Sequence, residues 1–374
     1  MVIFTSWEYL AFLALSVIIF YSVKHSWRPF VLALTGIIFY TYHAGLYVFL
    51  IILEARAYFL AKYKTRYLFF ISIIISATIL VYFKYKQLFF GFVQWDAFLP
   101  TAAIPLGISF FTFEFIHYLV DRSKGKIDNP TLKDHFAFIF FFPSMIAGPI
   151  KRYQQFVPQI SNAVFSLDNV FNGTFRIIIG FFKKIVIADT LALFSASLTN
   201  PQFVSAADPL DITLRLLAFS FKIYMDFSAY SDIALGSAAL FGIYLPENFN
   251  WPYLSRNIAD FWKRWHISLT SWFIDYIYKP LGGSRKIISI TILNVFIVMS
   301  ISGLWHGASW NFLIWGLYHA FFLALYHFYK RFNMPSFPRI ISVPLTFIIV
   351  TLGWTFFLAP WDVALLILTK IFFF

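Results

Sequence analysis

Cysteine is absent from the 374 residues. That excludes disulfides, thiolate metal sites, cysteine acyl-enzymes and S-palmitoylation on this chain. Charge is scarce as well, at 12% of residues, roughly half the proportion usual in a soluble domain. Acid is scarcer than base, 17 residues against 29, for a net charge of +12. In a soluble chain that excess would raise nucleic acid as a partner. Here the bases are scattered between apolar runs, which membrane topology explains, so no nucleic acid is expected. No internal repeat or low-complexity tract appears. What remains is 60% hydrophobic and 22% aromatic, with mean hydropathy +0.74. The composition predicts an all-α polytopic membrane protein whose first partner is the lipid bilayer. Pairing the apolar segments gives about ten or eleven transmembrane helices plus re-entrant or interfacial pieces. A single membrane domain over 1–374 is expected, with N-terminal helices in 1–135, the polar motifs in 136–330 and C-terminal helices in 331–374.

Trp7–Tyr21 is apolar apart from Glu8 and reads as a retained first span, since no small-residue cleavage site follows it. Lys24 and Arg28, then Lys62, Lys64 and Arg66, form two basic flanks. The positive-inside rule places these in the cytoplasm and the N-terminus outside. Glu114 and His117 share a helix face; their spacing suits a metal, but two ligands do not make a site, and a satisfied hydrogen bond is the favoured reading. Phe136–Ile150 is a span broken at Pro143 and closed by Gly148-Pro149, with Lys151 and Arg152 after it. Such a break is tolerated at membrane depth only where protein or a cavity surrounds it.

Ile212–Tyr244 holds Arg215, Lys222, Asp226 and Asp232. These charges must face a cavity or one another. Lys222 and Asp226 stand at i,i+4, so an ion pair accounts for Asp226. Asp232 lacks a local partner and is the stronger candidate for a functional role. On a continuous helical wheel Trp262, Trp265, His266, Leu269, Trp272, Phe273 and Tyr276 form one apolar stripe, with Arg264, Ser268, Ser271 and Asp275 opposite. That pattern suits an interfacial helix whose tryptophans anchor at headgroup level. His266 gains little from such a stripe unless it has a partner. PLGGSRK, residues 280–286, is a glycine turn beside Arg285 and Lys286, able to hold a phosphate but equally an ordinary cytoplasmic loop.

Ile287–Tyr329 carries no charge and is roughly twice the ~20 residues one span needs. It contains SGLWHGASWNFLIWGLYHA, Ser302–Ala320, with His306 and His319. An ionisable side chain in such a run is a functional candidate, although a lone membrane histidine as often bonds a neighbouring helix. Gly303, Gly307 and Ala308 remove bulk around His306, admitting a substrate or a second backbone. On one regular helix the two imidazoles would lie roughly 140° apart and about 20 Å apart along the axis. They are therefore not expected to work as a pair unless the chain breaks between them.

Four blocks carry a resemblance: FFPSMIAGPIKRY, YMDFSAYSDIALGSAALFGIYLPENFNWPY, DFWKRWHISLTSWFIDYIYKPLGGS and SGLWHGASWNFLIWGLYHA. In this order, over about Phe141 to Ala320, they resemble the membrane-bound O-acyltransferase superfamily, most closely its bacterial branch that O-acetylates alginate and peptidoglycan. The resemblance implies a ring of membrane helices around a thin centre reachable from both faces of a bacterial inner membrane. It implies catalysis by His306 with His266 as second polar partner, and Asp232, Asp226, Trp305 and His319 around the tunnel. It implies acetyl-CoA as donor substrate, no bound cofactor or metal, and an extracytoplasmic transferase partner acting on the polysaccharide. Lys263, Arg264, Arg285 and Lys286 would form the cytoplasmic donor mouth. D-alanyl transfer to teichoic acid and a non-catalytic acetyl conduit are the alternatives. Two departures stand out. Ala229 replaces a usual Gly, and Ile274 a usual Arg before Asp-Tyr, which would leave donor binding to Arg264 or Arg285. The chain ends at ILTKIFFF, where longer relatives continue, so a clipped C-terminus is an expectation.

Overall fold

The structure, a computed structural model, describes residues 2–60, 66–90, 104–285 and 287–373. Lys62, Lys64 and Lys286 lie outside the described residues. Helices dominate; no strand forms among the described residues, and the one β-type pairing is an isolated antiparallel bridge between Phe249 and Trp265. This follows from the solvent the composition implies, because without water a segment must satisfy its own backbone N–H and C=O groups. Among the described residues three helices are long and apolar enough to cross a membrane: Ile288–His306, Trp310–Arg331 and Arg339–Leu358. Two shorter apolar helices, Trp7–Ser22 and Ile71–Tyr85, accompany them. Several segments that hydropathy alone pairs into the expected ten or eleven spans are short or broken, because polar side chains and prolines interrupt them.

The chain divides into two compact units, Met1–Phe181 with Tyr230–Glu247, and Phe182–Ala229 with Asn248–Phe374. The first contains α1 (Trp7–Ser22), α2 (Arg28–Ala44), α3 (Tyr47–Leu60), α4 (Arg66–Phe90), α5 (Ile108–Ser123), α6 (Leu132–Ile139), α7 (Tyr153–Asn162) and α8 (Leu167–Phe181). Ser6 and Thr131 cap α1 and α6 by accepting backbone N–H bonds, and Pro29 occupies the first turn of α2, where its missing N–H costs nothing. Its core is aromatic, with Phe138, Phe140, Phe141 and Phe142 fully buried.

The chain leaves the helical path after Ile139, ahead of Pro143, so the expected span at 136–150 is one short helix followed by a buried turn. A methyl at Gly36 would overlap the Phe140 carbonyl, so α2 lies directly on this turn. Buried polar groups secure the exit. Lys151 pairs with Glu114 at 2.5 Å, the Tyr153 N–H donates to His117 Nε2 at 2.8 Å, and Gln154 donates to Asp121 at 2.9 Å. Glu114 and His117 thus serve internal bonds, the reading favoured over a metal.

The second unit contains α9 (Asp189–Ser195), α10 (Pro201–Ala206), most of α11 (Pro209–Leu240), α12 (Ile258–Arg264), α13 (Ile267–Phe273), α14 (Ile288–His306), α15 (Trp310–Arg331), α16 (Arg339–Leu358) and α17 (Trp361–Phe373). The charge-free run, whose length allows two spans or one span plus a re-entrant piece, is two helices, α14 and α15. They touch through backbone: a methyl on Gly303 would overlap the Phe312 carbonyl, and one on Gly316 the Met299 carbonyl. Small residues at such crossings exchange side-chain burial for close van der Waals packing.

Candidate active site

The candidate site lies in the second unit and starts from two breaks in helical structure. The first is at His266. The helix expected to continue through it stops at Arg264, and α13 begins at Ile267. His266 itself adopts a left-handed backbone, φ 45° and ψ 54°, a conformation that non-glycine residues hold only where their surroundings demand it. Asn248, fully buried, supplies that demand. Its carbonyl accepts from the Ile267 N–H at 2.9 Å, and its side-chain oxygen accepts from the Ser268 hydroxyl at 2.6 Å. The Asn250 N–H donates to the Arg264 carbonyl at 3.0 Å on the other side of the break. The single-stripe helical wheel is therefore corrected: Ser268, placed on the polar side, is buried, because the stripe is two helices with a turn between them.

His266 is nonetheless sealed, 2% exposed. Its ring stands edge-on to Phe227 at 4.5 Å between centroids, with Trp305 at 6.2 Å. Among the described residues its Nε2 has no hydrogen-bond partner. Burial pushes its pKa down to about 3, so the ring is neutral at physiological pH.

The second break follows His306, the last residue of α14. Gly307 takes an extended backbone, and Ser309 precedes the first residue of α15. Asn311 holds the restart by donating to the Phe356 carbonyl at 2.9 Å, and the Ser309 hydroxyl bonds its side chain. Because the chain reverses here, His306 and His319 are not on one helix. Trp315 lies between them, 5.1 Å from the His306 ring and 4.9 Å from the His319 ring. The expectation that they stand far apart on one regular helix is overturned, by the break that was its stated exception.

Exposure separates the three imidazoles. His319 is fully buried among Phe261, Trp262, Trp315, Tyr318 and Trp354. Neither of its ring nitrogens has a hydrogen-bond partner among the described residues. His306 is half-buried, walled by Trp305, Phe312, Trp315 and Phe357. A group that meets a substrate must be reachable, and His306 alone of the three offers that together with an apolar wall.

The family model for the membrane-bound O-acyltransferase family matches residues 109–359. The chain belongs to this family. The match extends the resembling blocks in both directions and takes in every residue of the site. Among the relatives of this chain is a protein of Pseudomonas aeruginosa named probable alginate O-acetylase AlgI. It is 36% identical over 352 residues, covering 89% of this chain and 64% of the relative. The peptidoglycan O-acetyltransferase of Helicobacter pylori is 36% identical over 330 residues, 77% of this chain and 61% of that protein. The teichoic acid D-alanyltransferase of Bacillus subtilis is 31% identical over 270 residues, 67% of this chain and 68% of that protein. The chain thus spans somewhat under two thirds of the length of the two O-acetylating relatives.

The other predicted residues of this family member divide by position. Trp305 joins His266 and His306. Asp226 sits between Lys222 at 3.3 Å and Lys184 at 3.2 Å, the ion pair expected plus a second cation. Asp232 has the partner that its local sequence lacks: Arg176 donates to it at 3.0 Å and to both oxygens of Glu247 at 2.6 Å. In the donor mouth, Arg264 is engaged internally, by Asp260 at 2.8 Å and the Asn250 carbonyl. Lys263 and Arg285 are exposed. Arg285, Tyr278, Lys279 and the glycine turn line a cavity of about 730 Å³. Lys151, the cation that follows Gly148-Pro149, is 1% exposed and bound to Glu114. Asn248 and Trp315 escaped the sequence reading. Only the position of an Asn directly ahead of the aromatic block hinted at the first, and nothing local marked the second.

Proposed function

We propose that the chain is an O-acetyltransferase of the bacterial inner membrane, taking an acetyl group from acetyl-CoA on the cytoplasmic side for O-acetylation of a cell-envelope polysaccharide such as alginate or peptidoglycan. An extracytoplasmic transferase partner would complete delivery to the polymer. The observation that carries this reading is a reachable imidazole, His306, in an aromatic box beside a sealed neutral one, His266, in a chain related to O-acetylating proteins.

In the proposed reaction the acceptor hydroxyl oxygen attacks the thioester carbonyl carbon while His306 takes the hydroxyl proton. The tetrahedral intermediate collapses with cleavage of the C–S bond, and His306 returns the proton to the thiolate. Positioned acid–base catalysis of this kind contributes on the order of 10²–10⁴-fold. His266, neutral and sealed in a strained turn, is proposed as a positioning residue: it packs on Trp305, whose ring in turn stands 4.7 Å from the His306 ring between centroids. The glycine turn at 280–285 with Arg285 is the proposed seat of the donor's phosphates, since arginine suits bidentate phosphate contacts. No step requires a metal.

His306→Ala is expected to abolish acetylation of the envelope polymer while the folded protein persists in the membrane. Wild-type acetylation in that variant would remove the central assignment. Relatedness to teichoic acid D-alanyltransferases supports a second reading, D-alanyl transfer from a carrier protein. The purified chain hydrolysing or exchanging acetyl-CoA separates the two, and also separates an enzyme from an acetyl conduit.

A further inference from the structure

A cavity of about 350 Å³ opens in the second unit between α15, α16 and the start of α12. Both cations of its lining, Arg256 and Lys330, are exposed. Neither has a carboxylate partner among the described residues. Asp260, the nearest acid in sequence to Arg256, spends one oxygen on the Arg256 backbone N–H at 3.0 Å and the other on Arg264 at 2.8 Å. No acidic residue at all occurs between Asp275 and Asp362, whereas Arg331 and Arg339 flank the cavity's loop. Pro338 gives the start of α16 no side-chain cap, and the positive end of that helix's dipole lies in the same loop region as Ser336 and Phe337 of the lining. A second observation is independent of these charges. Ser342 lines the cavity, is 7% exposed, and its hydroxyl has no hydrogen-bond partner among the described residues. A buried hydroxyl left unpaired costs free energy that a ligand acceptor removes.

The rest of the wall is apolar and leads outward. Phe322 and Ile349 are partly buried, and Leu325, Leu345 and Phe337 are exposed on the same helices and loop. A cationic, hydroxyl-bearing head end continuous with an exposed apolar wall is the chemistry of a lipid, not of a soluble anion. We infer that this cavity binds an anionic phospholipid, its phosphate held by Arg256, Lys330 and the Ser342 hydroxyl and one acyl chain running along Leu325, Leu345 and Ile349 to the bilayer. At this volume, near the lower end for ligand pockets, it takes the head and upper chain rather than a whole lipid. This site is separate from the histidine site and does not depend on the acyl-transfer reading.

The test uses the full chain, purified and delipidated in detergent, titrated with short-chain phosphatidylglycerol and with phosphatidylcholine of the same chain length, with binding read by native mass spectrometry. Phosphatidylglycerol is expected to bind on the order of tenfold tighter, given two surface cations. R256Q/K330Q is expected to bring it down to the phosphatidylcholine level, while R256K/K330R keeps most of the preference. Equal binding of the two lipids by the natural chain, or an undiminished preference in R256Q/K330Q, would overturn the proposal. Displacement of phosphatidylglycerol by inorganic phosphate or acetyl-CoA at matching concentration would also overturn it, by making the occupant a soluble phosphate. If R256Q/K330Q loses its folded state, the contrast between the two lipids on the natural chain decides alone.

Discussion

Three histidines of one small region show how little a residue's type determines its chemistry. His306, half-buried at the end of α14, is reachable; His266 and His319 are sealed, one in a strained turn and one inside an aromatic box. Sealing has a measurable consequence for His266. Burial lowers its pKa from 6.5 to about 3. Below 6.5 the unfolded chain takes up a proton that the native site refuses, so the equilibrium moves toward unfolding as pH falls through that window. The stabilisation is present above 6.5 and lost on acidification. Asn does not titrate and tolerates the left-handed backbone. His266→Asn is therefore expected to lose less of its thermal unfolding midpoint than the natural chain between neutral pH and pH 5 in the same detergent. Equal losses would assign the acid sensitivity to other groups.

Element boundaries decide which residues meet. Periodicity marks α14 and α15 as apolar and locates their small residues, but it does not say whether Gly303 and Gly316 face a lipid, a substrate or a backbone. They face backbone, the Phe312 and Met299 carbonyls. Gly316→Leu must then push two packed helices apart, and overpacking of this kind costs about 1–3 kcal/mol. The expected result is a lower unfolding temperature together with reduced acetylation, since the same crossing carries Trp315 toward His306. An unchanged unfolding temperature would mean that the two backbones are not in contact. The α12–α13 break was illegible for a different reason. DFWKRWHISLTSWF has a continuous helical stripe, and the break is imposed from a separate segment, through Asn248 and the Phe249–Trp265 bridge.

For the molecule as a whole, the absence of cysteine becomes a tool. Any single cysteine introduced is the only thiol, so accessibility can be read without background. Ser284 and Ser336 are exposed and lie before α14 and after α15. With these helices as a pair of spans, both positions lie on one side, and the positive-inside rule, counting Arg285, Lys330, Arg331 and Arg339, makes that side the cytoplasm. Ser284→Cys and Ser336→Cys are each expected to react with a membrane-impermeant maleimide in inside-out vesicles and not in intact spheroplasts. Labelling from opposite faces would break the pairing.

Composition by itself determined the solvent, and with it the helical class, because hydrocarbon leaves a backbone few other ways to satisfy its hydrogen bonds. Local patterns also singled out His306, His319 and His266, since ionisable groups in apolar surroundings are costly enough to be conspicuous. Their grouping was a matter for tertiary structure. The break at Gly307 sets Trp315 between His306 and His319, Asn248 turns His266 inward, and Arg176 reaches Asp232 across 56 positions of sequence. Apart from Trp315 and His319, four apart on α15, these contacts join residues from different helices or loops, and periodicity within one segment carries no information about a partner supplied by another.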